Sequence, residues 1–147
     1  MPWWAPPSHA LETFREGLII SGQAGEIFVR PGLYAHRAWL HLNQGDYQSA
    51  EADIRSLLST LEQSGFRSFY GWDPEVMEDL LREAVLLKIM PDFARELAAR
   101  RLGMAIGNGK ESFPLLHVYS LGPLALTCRG VKVSAGDLTP AMRQLLA

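Results

Sequence analysis

The stretch Ala38–Ala50, which reads Ala-Trp-Leu-His-Leu-Asn-Gln-Gly-Asp-Tyr-Gln-Ser-Ala, decides the fold predicted for this chain. Gly45 lets the backbone leave a first helix, and Asp46 is a suitable N-cap for a second one. Tyr47 is predicted to fill the wedge between the two helices, and the small side chain of Ala50 lets them approach closely. The stretch therefore predicts an antiparallel pair of helices that meet at a Gly-Asp turn.

This turn resembles the turn of a tetratricopeptide repeat, in which two antiparallel helices form one unit of a stacked array. The residues that carry the resemblance are predicted to pack where the two helices meet, and they are Trp39, Gly45, Asp46, Tyr47 and Ala50. Any antiparallel helix pair with a Gly-Asp connection would show a similar pattern. A simple helix pair is therefore the alternative interpretation.

Apolar residues recur at helical spacing on both sides of this turn, from Ser8 to Gly103. Capping and breaking residues divide this region into helices over about 8–22, 31–42, 46–64, 74–87 and 91–102. Ser8 is predicted to cap the first helix. Asp73 is predicted to cap the fourth, with Pro74 at its first position. The sequence therefore predicts a helical module over residues 8–103, preceded by a leader or linker at residues 1–7.

The periodicity changes after the predicted helical module. Residues 104–113 contain Gly-Asn-Gly and are predicted to form a linker. Alternating residues from Leu115 to Val133 predict a β-hairpin, with Arg129-Gly130 as a two-residue turn. Thr139-Pro140 is predicted to open a last helix. The predicted fold is thus mainly α, with antiparallel tetratricopeptide-like helical hairpins, then a C-terminal β-hairpin and the start of a helix over residues 114–147.

The composition argues against several classes of protein. The chain has 147 residues and a net charge of −2, so it lacks the basic character typical of nucleic-acid-binding domains. No apolar run reaches the length of a membrane-spanning helix, and no membrane partner is expected. A single cysteine, Cys128, rules out an internal disulfide framework and is typical of a reducing compartment. The sequence therefore predicts a cytoplasmic protein.

The residues that carry chemistry in other proteins do not form a recognisable set here. Gly103–Glu111 partly matches a phosphate-binding loop, but Met104 and Glu111 stand where glycine and Ser or Thr are required. His36 and His41 are five residues apart, which does not place them on one helical face. The acidic residues are predicted to lie mainly on solvated helix exteriors: Glu51, Asp53, Glu75, Glu78, Asp79 and Glu83. We therefore expect no enzyme activity, cofactor or metal ion.

Three helical stretches together resemble one family of regulators. Residues 51–66, 71–77 and 93–102 are similar to the end of the helical-repeat region in large ATP-dependent bacterial transcriptional regulators of the maltose-regulon-activator type. Residues 114–122, with the Arg129-Gly130 turn, resemble the opening hairpin of the winged-helix domain in bacterial transcriptional activators, the group that includes the antibiotic regulatory proteins. Trp72-Asp73-Pro74 and Leu121-Gly122 are the most specific parts of the resemblance.

The resemblance implies a function for a longer parent protein. It implies a helical sensor or interaction module, open to a protein or small-molecule effector, joined to an incomplete DNA-binding domain. In this family a later helix and a β-wing read DNA, so the resemblance assigns no DNA-contact residue here. The chain is thus expected to be a fragment of a longer gene or a truncated product. A stand-alone helical interaction module with no DNA role, whose hairpin caps the helices, is the alternative.

We predict that this chain alone binds duplex DNA weakly or not at all. Non-specific affinity depends on neutralising phosphates with Lys and Arg, and the net charge of −2 leaves little to supply it. A fluorescence anisotropy titration at physiological salt should show no saturable binding below about 1 µM, the affinity range of specific complexes. Sequence-specific binding at submicromolar concentration would contradict the prediction.

Overall fold

The computed structural model describes residues 7–109, 111–119, 125–134 and 139–140, and these form five α-helices followed by five short β-strands. The helices are α1 (Pro7–Ala24), α2 (Arg30–Asn43), α3 (Tyr47–Ser64), α4 (Pro74–Leu86) and α5 (Pro91–Leu102). The strands are β1 (Met104–Ile106), β2 (Ser112–Pro114), β3 (Leu116–Tyr119), β4 (Ala125–Cys128) and β5 (Val131–Val133). The prediction of a mainly α fold with a small antiparallel strand region is confirmed.

Local capping explains most of the helix boundaries. The Asp46 carboxylate accepts a hydrogen bond from the backbone N–H of Ser49 at 3.1 Å, and Asp73 caps the first turn of α4 in the same way. Gly65 and Gly103 end α3 and α5 in the left-handed conformation, which glycine adopts without steric cost. The start of α1 differs from the prediction, because the helix already begins at Pro7 and Ser8 lies inside it.

The hydrophobic core lies among α2, α3, α4 and α5. Ala35 and Ala38 on α2 and Ala50 on α3 are at most 1% exposed, and their small side chains allow the two helices to pack closely. Larger side chains fill the remaining core: Ile54, Leu57, Leu58, Leu61, Met77, Leu80, Leu81, Ile89 and Leu97. α1 packs against α2, and α2 also contacts α4. The α2–α3 pair thus forms the centre of the helical region.

The loop between α3 and α4 crosses the beginning of α2 at very short range. A Cβ atom on Gly32 would lie 2.4 Å from the carbonyl oxygen of Tyr70, so any larger residue would push the loop away. His36 Nε2 lies 2.9 Å from the carbonyl oxygen of Gly71, and the ring of Phe28 stacks on that of Phe66. These contacts attach the loop firmly to the start of α2.

The strands form two small antiparallel sheets. β1 pairs with β2, and β3, β4 and β5 form a three-stranded meander in that order. Arg129 and Gly130 both have positive φ, 50° and 78°, as a two-residue hairpin turn requires. The predicted turn is therefore confirmed. Leu121-Gly122 and the predicted terminal helix after Pro140 lie outside the described residues.

The segment 104–113, predicted as a linker, instead forms the β1–β2 hairpin and packs on the helices. Ile106 is 6% exposed and belongs to the hydrophobic core. The hydroxyl of Ser112 on β2 lies 3.2 Å from Arg82 NH2 and 3.2 Å from Glu78 Oε1, both on α4. The prediction failed because strands of three residues leave almost no periodic signal, and tertiary contacts with α4 and α5 stabilise these two.

We predict that Ala50→Leu destabilises the protein by about 1–3 kcal/mol, because extra methyl groups would overpack the contact between α2 and α3. Ala52 is exposed on the same helix, so Ala52→Leu provides the matched control and should change stability by less than about 0.5 kcal/mol. Urea denaturation followed by circular dichroism measures both values. Equal stability of the two variants would show that Ala50 does not set the helix contact.

Candidate functional site

Three of the five residues that were predicted to pack where α2 and α3 meet behave as predicted, and two do not. Ala50 is fully buried, Gly45 has a φ of 76°, and Asp46 caps α3, as predicted. Tyr47 is 62% exposed and Trp39 is 37% exposed. The prediction that Tyr47 fills a wedge between the helices is therefore wrong, and Trp39 is only partly covered. The buried residues where α2 and α3 meet are instead the small side chains of Ala35, Ala38 and Ala50.

Trp39 and Tyr47 instead line a groove between α2 and α4, with a cavity volume of about 220 Å³. Its lining combines two aromatic residues with apolar and charged ones: Trp39, Leu42, Asn43, Tyr47, Asp79, Arg82, Glu83 and Leu86. The lining residues come from three helices, because the end of α2 and the start of α3 face the middle of α4. We refer to this feature as the α2–α4 groove.

Polar contacts in the α2–α4 groove are concentrated on α4. The indole Nε1 of Trp39 donates a hydrogen bond to Asp79 Oδ2 at 3.2 Å, which joins α2 to α4. The guanidinium of Arg82 forms an ion pair with Glu78, one turn earlier on the helix, and its NH1 lies 3.8 Å from Asp79 Oδ1. The Arg82 guanidinium thus contacts the carboxylates of Glu78 and Asp79, and Glu83 adds a further carboxylate to the lining of the groove.

Arg82 also connects the groove to the strands. Its NH2 donates to the hydroxyl oxygen of Ser112 at 3.2 Å, and the same hydroxyl donates to Glu78 Oε1. The Nε of Arg82 is buried and has no hydrogen-bond partner within the described part of the chain. A change in the position of Arg82 would therefore disturb both the groove and the attachment of β2 to α4.

An ion pair between Arg37 and the buried Asp53 joins α2 to α3. Arg37 donates from Nε to Asp53 Oδ2 at 2.7 Å and from NH2 to Asp53 Oδ1 at 2.6 Å. The hydrogen bond with Asp53 raises the pKa of Arg37 against the opposing effect of burial. Asp53 is 4% exposed, so its predicted place on a solvated helix exterior is wrong. The arrangement is suited to fixing the helix pair, since both oxygens of the carboxylate are occupied.

His41 lies between Asp46, which caps α3, and Asp53 within α3. Its Nδ1 is 3.4 Å from Asp46 Oδ2, and its Nε2 is 4.0 Å from Asp53 Oδ2. Within the residues that the structure describes, no group of three or more His, Cys, Asp or Glu side chains is arranged to hold a metal ion. The geometry around His41 therefore fits a packing role between α2 and α3.

The arginine-rich end of α5 has structural partners. Arg95 donates to the carbonyl oxygen of Ile106 at 3.3 Å and to Asn108 Oδ1 at 2.8 Å, which holds the β1–β2 hairpin. The guanidinium of Arg101 lies 5.3 Å from the ring centroid of Trp72. These arginines stabilise the loops that surround α5, so they do not form a separate basic site.

Comparison with known proteins gives no relative from which a site could be transferred. The chain matches no protein-family model, and neither curated proteins nor solved structures provide a match. None of the helices in the described ranges combines the length and apolar character needed to cross a membrane. The α2–α4 groove and its link to β2 are therefore the features on which a functional argument can rest.

We predict that protonation of Asp46 lowers the stability of the protein at low pH. Hydrogen bonds from the side chain and the backbone N–H of Ser49 lower the pKa of the Asp46 carboxyl. A lowered folded-state pKa gives stability that is present above the unfolded-state value of about 3.9 and is lost as the pH falls through the folded-state value. The free energy of unfolding of the wild type should therefore decline relative to that of Asp46→Asn below about pH 4.

Asn is the matched replacement because it caps helices about as well as Asp but does not titrate. Urea denaturation at a series of pH values from about 3 to 7 gives the difference in unfolding free energy between the wild type and Asp46→Asn. The contributions of the other carboxylates are the same in both proteins and cancel in this difference. Asp46→Ala should be less stable than Asp46→Asn across the whole range, since Ala cannot cap the helix. A difference between wild type and Asp46→Asn that stays constant below pH 4 would refute the assignment.

Proposed function

We propose that this chain is the helical interaction module of a bacterial transcriptional regulator, joined to strands that belong to the DNA-binding part of that regulator. The observation that carries the proposal is the position of Arg82. Its guanidinium lines the α2–α4 groove and also holds Ser112 on β2. A change in the contacts of this residue at the helical binding surface would therefore also change its contact with the strands that follow.

In this proposal, Arg82 makes one set of contacts without a ligand and a different set when a ligand binds in the groove. In the structure, Arg82 pairs with Glu78 and contacts Ser112. A ligand that binds Asp79 or Arg82 in the groove would change the contacts available to this guanidinium. A ligand shifts a conformational equilibrium by its difference in affinity for the two states, and effects of this kind are typically about 1–3 kcal/mol.

The packing of the helices supports an array of the tetratricopeptide type. α2 pairs with α3 and α4 pairs with α5, so consecutive helices form two hairpins. α2 also contacts α4, and α3 contacts α5, as expected where equivalent helices of successive hairpins stack. In such arrays the surface between neighbouring hairpins commonly receives partners, and here that surface contains the α2–α4 groove.

The meander β3–β4–β5 supports the DNA-binding part of the proposal. Its Arg129-Gly130 turn, with positive φ at both residues, lies where the sequence resembles the opening hairpin of a winged-helix domain. The helix that reads DNA in that family has no counterpart among the described residues, so no DNA-contact residue is proposed. DNA binding is thus proposed for the parent protein through its complete winged helix.

A stand-alone interaction module without a DNA role is the second candidate, and one group of contacts favours it. Ile106 belongs to the helical core, and a Cβ atom on Gly130 would lie 2.7 Å from Phe113 Cδ1, so the β4–β5 turn rests on the β1–β2 hairpin. The β1–β2 hairpin therefore packs on the helices, and the β4–β5 turn packs on that hairpin. In this candidate they cap the helical module.

Chromatin immunoprecipitation of the gene product, tagged at its own chromosomal locus, tests the proposal. A regulator should enrich a few discrete promoter regions, and deletion of the gene should change transcription from them. Ser112→Ala should weaken the response at those promoters while preserving the protein level, whereas Ser56→Ala should leave it unchanged. Ser56 is the matched control because its hydroxyl bonds within α3, to the carbonyl oxygen of Ala52.

The two candidates give opposite results in this experiment. Absence of promoter enrichment, together with co-purification of a protein partner, would refute the regulator and support the stand-alone module. Promoter enrichment that Ser112→Ala does not alter would support the regulator but would refute the coupling through Arg82.

A further inference from the structure

We infer that the α2–α4 groove binds an arginine side chain presented by a partner protein. The inference rests on the proposed role of the helices as an interaction module, and it names the chemistry of the partner. It does not depend on DNA binding, so it can hold for either of the two candidates. Aromatic exposure, charge, size and apolar lining all support it.

The aromatic residues of the groove are exposed although aromatic rings usually contribute to the core. Tyr47 is 62% exposed and Trp39 is 37% exposed, on the same groove. Trp and Tyr are the residues on whose faces a guanidinium stacks most favourably. The protein already uses this interaction, because the guanidinium of Arg67 lies 4.8 Å from the ring centroid of Phe93 and that of Arg101 lies close to Trp72.

The charge of the groove favours a cation. Asp79 and Glu83 belong to the lining, and Glu83 has no ion-pair partner among the residues that the structure describes. Arg82 contributes the opposite charge and contacts both Glu78 and Asp79. One positive charge therefore faces the three carboxylates of Glu78, Asp79 and Glu83. The lining residues from α2 and α3 are uncharged at neutral pH. A planar guanidinium can bind a carboxylate through two hydrogen bonds, which distinguishes arginine from lysine.

The size and apolar residues of the groove fit one long side chain. Its volume of about 220 Å³ is smaller than the pockets of about 300–1,000 Å³ that enclose small-molecule ligands. Leu42 and Leu86 also line the groove and can pack against the methylene groups of arginine. Nucleic acid is not a suitable ligand, because the carboxylates of Asp79 and Glu83 would repel phosphate groups.

NMR spectroscopy of the full chain tests the inference with the probe peptide acetyl-Gly-Leu-Arg-Leu-Gly-amide. The indole N–H signal of Trp39, assigned with Trp39→Phe, reports on the groove because this group donates to Asp79. We expect a saturable shift at millimolar peptide concentration, in the range of a single anchored side chain. The same peptide with citrulline, a neutral analogue of arginine, should bind at least about tenfold more weakly, and the lysine peptide should bind less tightly than the arginine peptide.

Three variants assign the binding to the groove. Asp79→Asn and Glu83→Gln should each raise the dissociation constant about two- to fivefold, as expected for partly exposed ion pairs. Glu62→Gln is the matched control, since Glu62 is exposed near the other end of α3 and lies outside the groove. It should leave the dissociation constant unchanged. Preserved dispersion of the amide signals would show that each variant is folded.

Several results would overturn the inference. These results are the absence of a saturable shift of the Trp39 signal, binding of the citrulline peptide as tight as that of the arginine peptide, and a loss of binding in Glu62→Gln as large as that in Asp79→Asn. Equal or tighter binding of the lysine peptide would overturn the assignment to arginine. Promoter enrichment does not enter these measurements, so a failure of the regulator proposal and a failure of arginine binding are separate outcomes.

Discussion

The ion pair between Arg37 and Asp53 is the interaction on which the helical region depends. An ionised carboxylate that is 4% exposed is costly unless it is paired, so the packing of α2 on α3 favours the register in which Arg37 meets Asp53. Loss of one partner alone would leave an unpaired buried charge, at a cost of about 3–5 kcal/mol. The pair sets the axial position of α2, and the buried alanines then set its distance from α3. Trp39 follows Arg37 by two residues, so this arrangement also determines where the groove lies.

α4 contacts the hydrophobic core, the α2–α4 groove and strand β2. One face, with Met77, Leu80 and Leu81, is buried in the core. The opposite residues, Glu78 and Arg82, are one helical turn apart, so the groove and β2 share a single ion pair. The groove is therefore not an isolated depression. Arg82 and Asp79 in its lining belong to the network that holds the β1–β2 hairpin on the helices, and the regulator proposal rests on this connection.

The sequence predicted helix caps and helix ends well, but it predicted contacts between residues far apart in the chain poorly. Asp46, Asp73, Gly65 and Gly103 set helix boundaries through contacts within a few residues, so their effects follow from the sequence alone. The burial of Asp53 was missed because its partner is 16 residues away on another helix. The exposure of Tyr47 and the strands at 104–114 were missed for the same reason, since tertiary packing determines them. The candidate groove was therefore not predictable as a site. The sequence pattern does single out two of its residues, Trp39 and Tyr47, but it predicts that they pack between α2 and α3.

The packing of neighbouring helices also has a consequence for the order of folding. The Arg37–Asp53 contact joins residues 16 positions apart, whereas the contacts of Ser112 with Arg82 and Glu78 span 30 and 34 positions. Closing a loop costs conformational entropy that rises with its length, by about 0.6 kcal/mol for each doubling. Proteins rich in such short-range contacts fold rapidly. We therefore expect the α2–α3 hairpin to form before β2 attaches to α4.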